Sequence, residues 1–157
     1  SDGNLNDAYS AAMQAYQANQ DRADIKLTFA DLSVQLGKVD DAKQLISTVM
    51  MVDQDSYYDA VKAKIELAEE AANSPELQAL EKAVEQSPSD LTLKHQLAAQ
   101  YVQVNRHQDA LELLYVLVRD NRGDTIGKDL LLDVIKSLPD GDPLASQYRR
   151  KLYTLMY

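Results

Sequence analysis

The stretch SDLTLKHQLAAQYVQVNRHQDALELLYVLVRDNRGD, residues 89–124, decides the fold. Two apolar-patterned helices meet in it at a short polar corner, Asn105-Arg106-His107. Leu93, Leu97, Ala98, Tyr101 and Val104 mark the first helix, and Ala110, Leu114, Leu117 and Val118 the second. Spacings of three and four put each set on one helical face. Helices cross closely only where side chains are small, and Ala98 and Ala110 supply one small residue to each partner.

This pair resembles a tetratricopeptide (TPR) repeat, a helix–turn–helix unit of 34 residues. It departs from that pattern at the fourth position, usually bulky and apolar, where Lys94 stands beside Leu93. Upstream steps of 34 residues carry Asp109-Ala110 onto Pro75-Glu76, Asp41-Ala42 and Asp7-Ala8. All of these suit a helix start, proline because its fixed φ fits the first turn. The corners between units keep the same register at Gln20-Asp21, Gln54-Asp55, Pro88-Ser89-Asp90 and Arg122-Gly123-Asp124. The expected fold is therefore all-α, a TPR-type α-α superhelix over 1–124 with repeats near 1–21, 22–55, 56–89 and 90–124. Residues 125–157 are expected to close it as a C-terminal helical cap.

Composition narrows the function. The 157 residues include no cysteine, so no disulfide, thiol nucleophile or thiolate metal site exists. Two isolated histidines lack metal-ligand spacing, and five scattered glycines make no phosphate-cradling loop. Neither a metal nor another cofactor is expected. No apolar run reaches the roughly 18 residues that suggest a membrane span. The net charge is −9, with 7 Lys/Arg against 17 Asp/Glu in residues 1–90 and 9 against 8 in residues 91–157. An acidic body argues against nucleic-acid binding, which needs a basic surface.

Along the chain, helices are expected over 4–19, 22–36, 40–52, 57–73, 75–86, 125–138 and 143–157, besides the central pair. The first would be the second half of a repeat, so the chain reads as part of a longer protein. Gly37 is expected in the left-handed conformation after its helix, and Ser56 as a helix cap. Ala63-Lys64 replaces the usual large–small apolar pair, making 56–89 a divergent repeat. The helix from Ala110 to Val118 is apolar nearly all round once Leu111, Leu113, Tyr115 and Val116 are added, so it should be buried on several sides.

Positions 2, 5, 9 and 12 of each TPR unit line the inner surface in the general pattern. Carried over, they select Asp24, Leu27, Asp31 and Val34; Tyr58, Val61, Ile65 and Ala68; and Thr92, His95, Ala99 and Val102. An apolar groove of Leu27, Val34, Tyr58, Val61, Ile65, His95 and Val102 would suit an apolar segment or a partner helix. In a short array, however, the favoured reading is that these residues pack against each other or against the chain's own C-terminal helices. His95 has no carboxylate at helical spacing and reads as a groove or surface residue, His107 as solvated. No nucleophile–base–orienter set can be assembled, so an enzyme is not expected. Arg149-Arg150-Lys151 with Tyr153 and Tyr157 forms a basic, aromatic helix suited to docking.

Three segments carry a more specific resemblance: AVKAKIELAEEAANSPELQALEKAVE, QLAAQYVQVNRHQDALELLYVLVRD and DPLASQYRRKLYTLMY. Together they look like the C-terminal TPR region of the bacterial thioredoxin-like co-chaperones, the YbbN/CnoX chaperedoxins. That resemblance implies a cytoplasmic, non-enzymatic protein that holds unfolding clients and passes them to the chaperonin and the Hsp70 system. It implies docking through Tyr148, Arg149, Arg150, Leu152, Tyr153, Leu155 and Tyr157, with redox chemistry left to a thioredoxin domain absent from this chain. The alternative is a TPR scaffold that binds one partner helix in an assembly unrelated to chaperones.

Overall fold

A computed structural model describes residues 2–156. Among them are nine α-helices, one short 3-10 turn and no strand. The helices are α1 (Asp2–Ala18), α2 (Ala23–Gln35), α3 (Val39–Ser47), α4 (Ser56–Ala72), α5 (Pro75–Gln86), α6 (Leu91–Gln103), α7 (His107–Asp120), α8 (Thr125–Ser137) and α9 (Pro143–Met156). They fall into two units, residues 1–71 and 72–157. The boundary divides the divergent 56–89 stretch, leaving all but the last residue of α4 in the first unit and α5 in the second.

In the first unit α2 and α3 form the close pair. Ala30 and Ala42 are both fully buried in a core with Leu27, Val34, Leu45, Ile46, Val49, Val61 and Ile65. Tyr9 and Tyr16 of α1 each lie 5.3 Å from the Phe29 ring, which fastens α1 to α2. The α2–α3 corner turns at Gly37, with φ 81°. There the N–H groups of Gly37 and Lys38 donate to Val34 O and Ser33 O at 3.0 and 2.8 Å, satisfying carbonyls at the helix end. α3 stops at Ser47 rather than continuing to Val52, and Met51–Asp53 forms the 3-10 turn. The cap of α4 is Asp55 rather than Ser56: its Oδ1 accepts from the Tyr58 N–H at 3.0 Å.

In the second unit α7 is the central element. Ala110, Leu111, Leu114, Leu117 and Val118 are buried, and Leu113 and Tyr115 are half-buried. Ala110 joins Leu77, Leu97 and Tyr101 in one apolar cluster. Leu111, Leu114, Leu117 and Val118 join α8 and α9 residues in another. Val116 departs from the all-round apolar reading, because its side chain is exposed. The α6–α7 corner repeats the Gly37 geometry with an asparagine: Asn105 has φ 62°, and the N–H groups of Asn105 and Arg106 donate to Val102 O and Tyr101 O.

The helix starts also repeat. Ser74 Oγ accepts from the Leu77 N–H at 3.2 Å with Pro75 in the first turn of α5. Asp142 Oδ1 accepts from the Leu144 N–H at 3.0 Å with Pro143 opening α9. The two cap–proline pairs stand two repeat lengths apart, so α9 keeps the 34-residue register that its side-chain pattern obscures. Asp90 and Asp124 cap α6 and α8 one repeat length apart.

Candidate interaction surfaces

The expected inner-surface residues fall in both units. Leu27, Val34, Val61 and Ile65 are buried together in the core of the first unit, and Tyr58 and Ala68 pack half-buried against it. The side chains that reach solvent beside them are polar. Asp31 accepts from Lys64 Nζ at 2.7 Å, Tyr57 Oη at 2.9 Å and Gln35 Nε2 at 3.1 Å. Burial opposes ionisation of Asp31, but these donors, Lys64 foremost, outweigh it and hold its carboxyl below the usual value. Burial first, then the Asp31 carboxylate, pushes the Tyr57 hydroxyl upward.

In the second unit His95 and Val102 are half-buried. His95 has a carboxylate partner after all, supplied from a distant turn: its Nε2 lies 2.7 Å from Asp124 Oδ2, with the two side chains 15% and 5% exposed. Asp124 Oδ1 meanwhile accepts from the Gly127 N–H at 3.0 Å. A Cβ at residue 127 would stand 2.5 Å from Asp124 Oδ2, so glycine is what leaves room for the pair. Burial raises the Asp124 pKa, while the Gly127 N–H and His95 lower it and prevail. His107 is half-buried rather than solvated.

A second polar set closes the α6–α7 corner. Tyr101 Oη donates to Glu81 Oε2 at 2.8 Å, and burial followed by Glu81 pushes that hydroxyl well up. The Arg106 guanidinium sits 4.8 Å from the Tyr101 ring centre and donates to Asp109 and to Ala72 O at 2.8 and 3.1 Å. Each group here is occupied in holding helices. Among the described residues no group of three or more His, Cys, Asp or Glu could hold a metal ion, and no helix is long and apolar enough to cross a membrane.

The structure divides the expected docking stretch by side. Tyr148 and Leu152 are buried and Leu155 is half-buried, all packed on α7 and α8. Lys151 leaves the basic cluster: its Nζ lies 5.1 Å from the Tyr115 ring centre and 4.9 Å from that of Tyr148, two rings set edge to face. Arg122, from the α7–α8 turn, donates to Leu155 O and supplies the cation that the last turn of α9 lacks. Arg149, Arg150, Tyr153 and Met156 remain exposed. Tyr157 lies outside the described residues. No acidic residue occurs between Pro143 and Met156, so the charges on the exposed face are all positive.

The helical spacing marked α9 as amphipathic but could not say which of three adjacent cations would be consumed by packing. The roles of Arg122 and Asp124 were hidden for a related reason. Both sit in a turn and act on helices about 30 residues away.

Two tetratricopeptide repeat family models match, one over residues 70–157 and one over 1–65. A domain of a Vibrio parahaemolyticus protein of unknown function, known from a crystal structure, is 36% identical and superposes with a TM-score of 0.90 over 99% of this chain and 92% of its own. An uncharacterized protein of Haemophilus influenzae is 29% identical over 143 residues, 89% of this chain and 65% of that protein. The chain therefore spans about two thirds of the length of this curated relative.

Proposed function

The chain belongs to the tetratricopeptide repeat family, a family of protein–protein interaction modules, and from that premise we propose that it serves a thioredoxin-like co-chaperone. In this reading it holds unfolding clients and docks on a chaperone of the chaperonin or Hsp70 system in the cytoplasm. The docking element is α9. One observation carries the proposal: α9 is pinned on one side by Tyr148, Leu152 and Arg122 and presents Arg149, Arg150, Tyr153 and Met156 on the other. A rigid helix with an exposed aromatic residue and two guanidinium groups loses little entropy on binding and offers the residue types that dominate interface energetics. The likeness of YRRKLYTLMY to the chaperedoxin ending supports the choice of partner.

The test is co-elution of the chain with purified chaperonin. Arg149→Glu with Arg150→Glu changes only exposed side chains, so helicity and unfolding midpoint should stay near the wild-type values. Chaperonin co-elution should be lost. Retained co-elution by this folded variant would sink the docking claim. Truncation before residue 149 is a poorer test, because it also removes Leu152 from the core.

A further inference from the structure

The connection between α3 and α4 carries three consecutive exposed apolar side chains: Met50, Met51 and Val52, at 69%, 86% and 86% exposure. Repeat packing does not require them. One and two repeat lengths downstream, Met51 corresponds to Glu85 and Arg119, and Val52 to Gln86 and Asp120. The Met50 position becomes Val84, half-buried, and Val118, buried. At the same register, then, the two repeats downstream bury or half-bury the first side chain and give the next two polar or charged groups. Here all three are apolar and face water. In α5 and α7 the helix runs on through the first of these positions. In α3 it has stopped at Ser47, and Met50 and the 3-10 turn that follows it leave all three side chains outward.

The surroundings define what would cover such a patch. Asp53 and Asp55 follow it immediately, both exposed. The first unit holds 6 Lys/Arg against 13 Asp/Glu. Its cations are largely engaged elsewhere: Arg22 with Asp24, Lys43 with Glu69, Lys64 with Asp31, Lys26 on Thr48 O and Lys38 over the Tyr9 ring. An acidic rim repels an anionic lipid surface and favours a cationic partner. Two adjacent methionines add an adaptable contact area of the sort found on surfaces that accept varied apolar sequences.

We propose that Met50, Met51 and Val52, with Asp53 and Asp55, form a docking surface for a protein segment that combines apolar side chains with Lys or Arg. This surface is independent of α9 and of the chaperone reading.

The test uses fluorescence anisotropy with a labelled 18-residue amphipathic peptide of leucine and lysine, and the same peptide with glutamate for lysine. The leucine–lysine peptide should bind and the leucine–glutamate peptide should not. Met51→Ser with Val52→Ser, and separately Asp53→Asn with Asp55→Asn, should each weaken binding about tenfold or more, with helicity unchanged. Arg149→Glu with Arg150→Glu should leave peptide binding intact even if chaperonin co-elution is lost. The proposal is overturned if the serine pair binds as the wild type does, since attraction would then be charge alone. Equal binding of the glutamate peptide overturns it too. So does preferential binding to phosphatidylserine vesicles, or sedimentation showing that the patch is covered by a second copy of the chain and takes no peptide.

Discussion

The α2–α3 and α6–α7 hairpins stand two repeat lengths apart and match residue for residue at the points that set helix packing. Ala30 answers Ala98, Ala42 answers Ala110, Ile46 answers Leu114, and the left-handed corner falls on Gly37 in one and Asn105 in the other. They differ in the length and surroundings of the second helix. α3 has 9 residues and one strongly buried side, whereas α7 has 14 and is covered by α6 on one side and by α8 and α9 on others. The same corner and the same alanine crossing therefore suffice to make the hairpin. What the second helix does afterwards depends on its outer positions: Leu111 is apolar and buried, whereas its counterpart Lys43 is charged and exposed.

The largest effect should separate the hairpins at their matched large residues. Leu114→Ala removes a fully buried side chain walled by several helices and should cost about 3–5 kcal/mol, near the top of the usual range. Ile46→Ala, at 8% exposure in the shorter helix, should cost about 2–3 kcal/mol. Urea unfolding followed by circular dichroism measures both, and equal losses would deny the difference in enclosure.

Next comes Gly127→Ala, which has no counterpart in the first hairpin. The added methyl would displace Asp124 Oδ2, weakening the cap of α8 and the His95 contact together. A loss of about 1–3 kcal/mol is expected. A double-mutant cycle with His95→Ala should be non-additive, because both changes act on one carboxylate.

The corners should differ by less. Gly37→Ala forces a side chain into left-handed backbone and should cost about 1 kcal/mol. Asn105→Gly should be nearly neutral, since asparagine already tolerates that conformation. A large loss for Asn105→Gly would mean that its side chain does more than permit the turn.

The smallest expected effect is in acid. Asp31 and Asp124 both have pKa values lowered in the folded state. Each therefore contributes stability that is present above the usual carboxylate pKa and is lost as pH falls through the lowered one. Asp31→Asn and Asp124→Asn should each flatten the stability profile below about pH 4 and change it little in slope above that. A profile that keeps its wild-type slope in either variant would assign the acid sensitivity to other carboxylates.

Much of this architecture could be read from residue spacing, because a repeat prints the same packing requirement several times. The alanine crossings, the Gly37 corner and the buried stripe of α7 all follow from local periodicity. The early end of α3 does not: Thr48, Val49 and Met50 continue an acceptable apolar pattern, yet the Ser47 and Thr48 hydroxyls turn back onto Gln44 O and Leu45 O where the helix stops. The inner-surface positions were legible as positions but not as environments: Leu27, Val61 and Ile65 are apolar whether they line a groove or fill a core. Of the docking stretch, α9 and its two faces could be expected from spacing. The capture of Lys151 was legible only for Tyr148, three residues before it on the same helix; Tyr115 lies more than 30 residues earlier.

That capture has a spectroscopic consequence. The chain contains no tryptophan, so its near-ultraviolet signal comes from tyrosine and a single phenylalanine. Tyr115 and Tyr148 form a close edge-to-face pair, with Tyr148 buried and a charged amine beside both rings. Such a pair gives a strong, asymmetric optical environment that vanishes when the rings part. The C-terminal helix thus carries its own intrinsic reporter, and its release from α7 could be followed without any attached label.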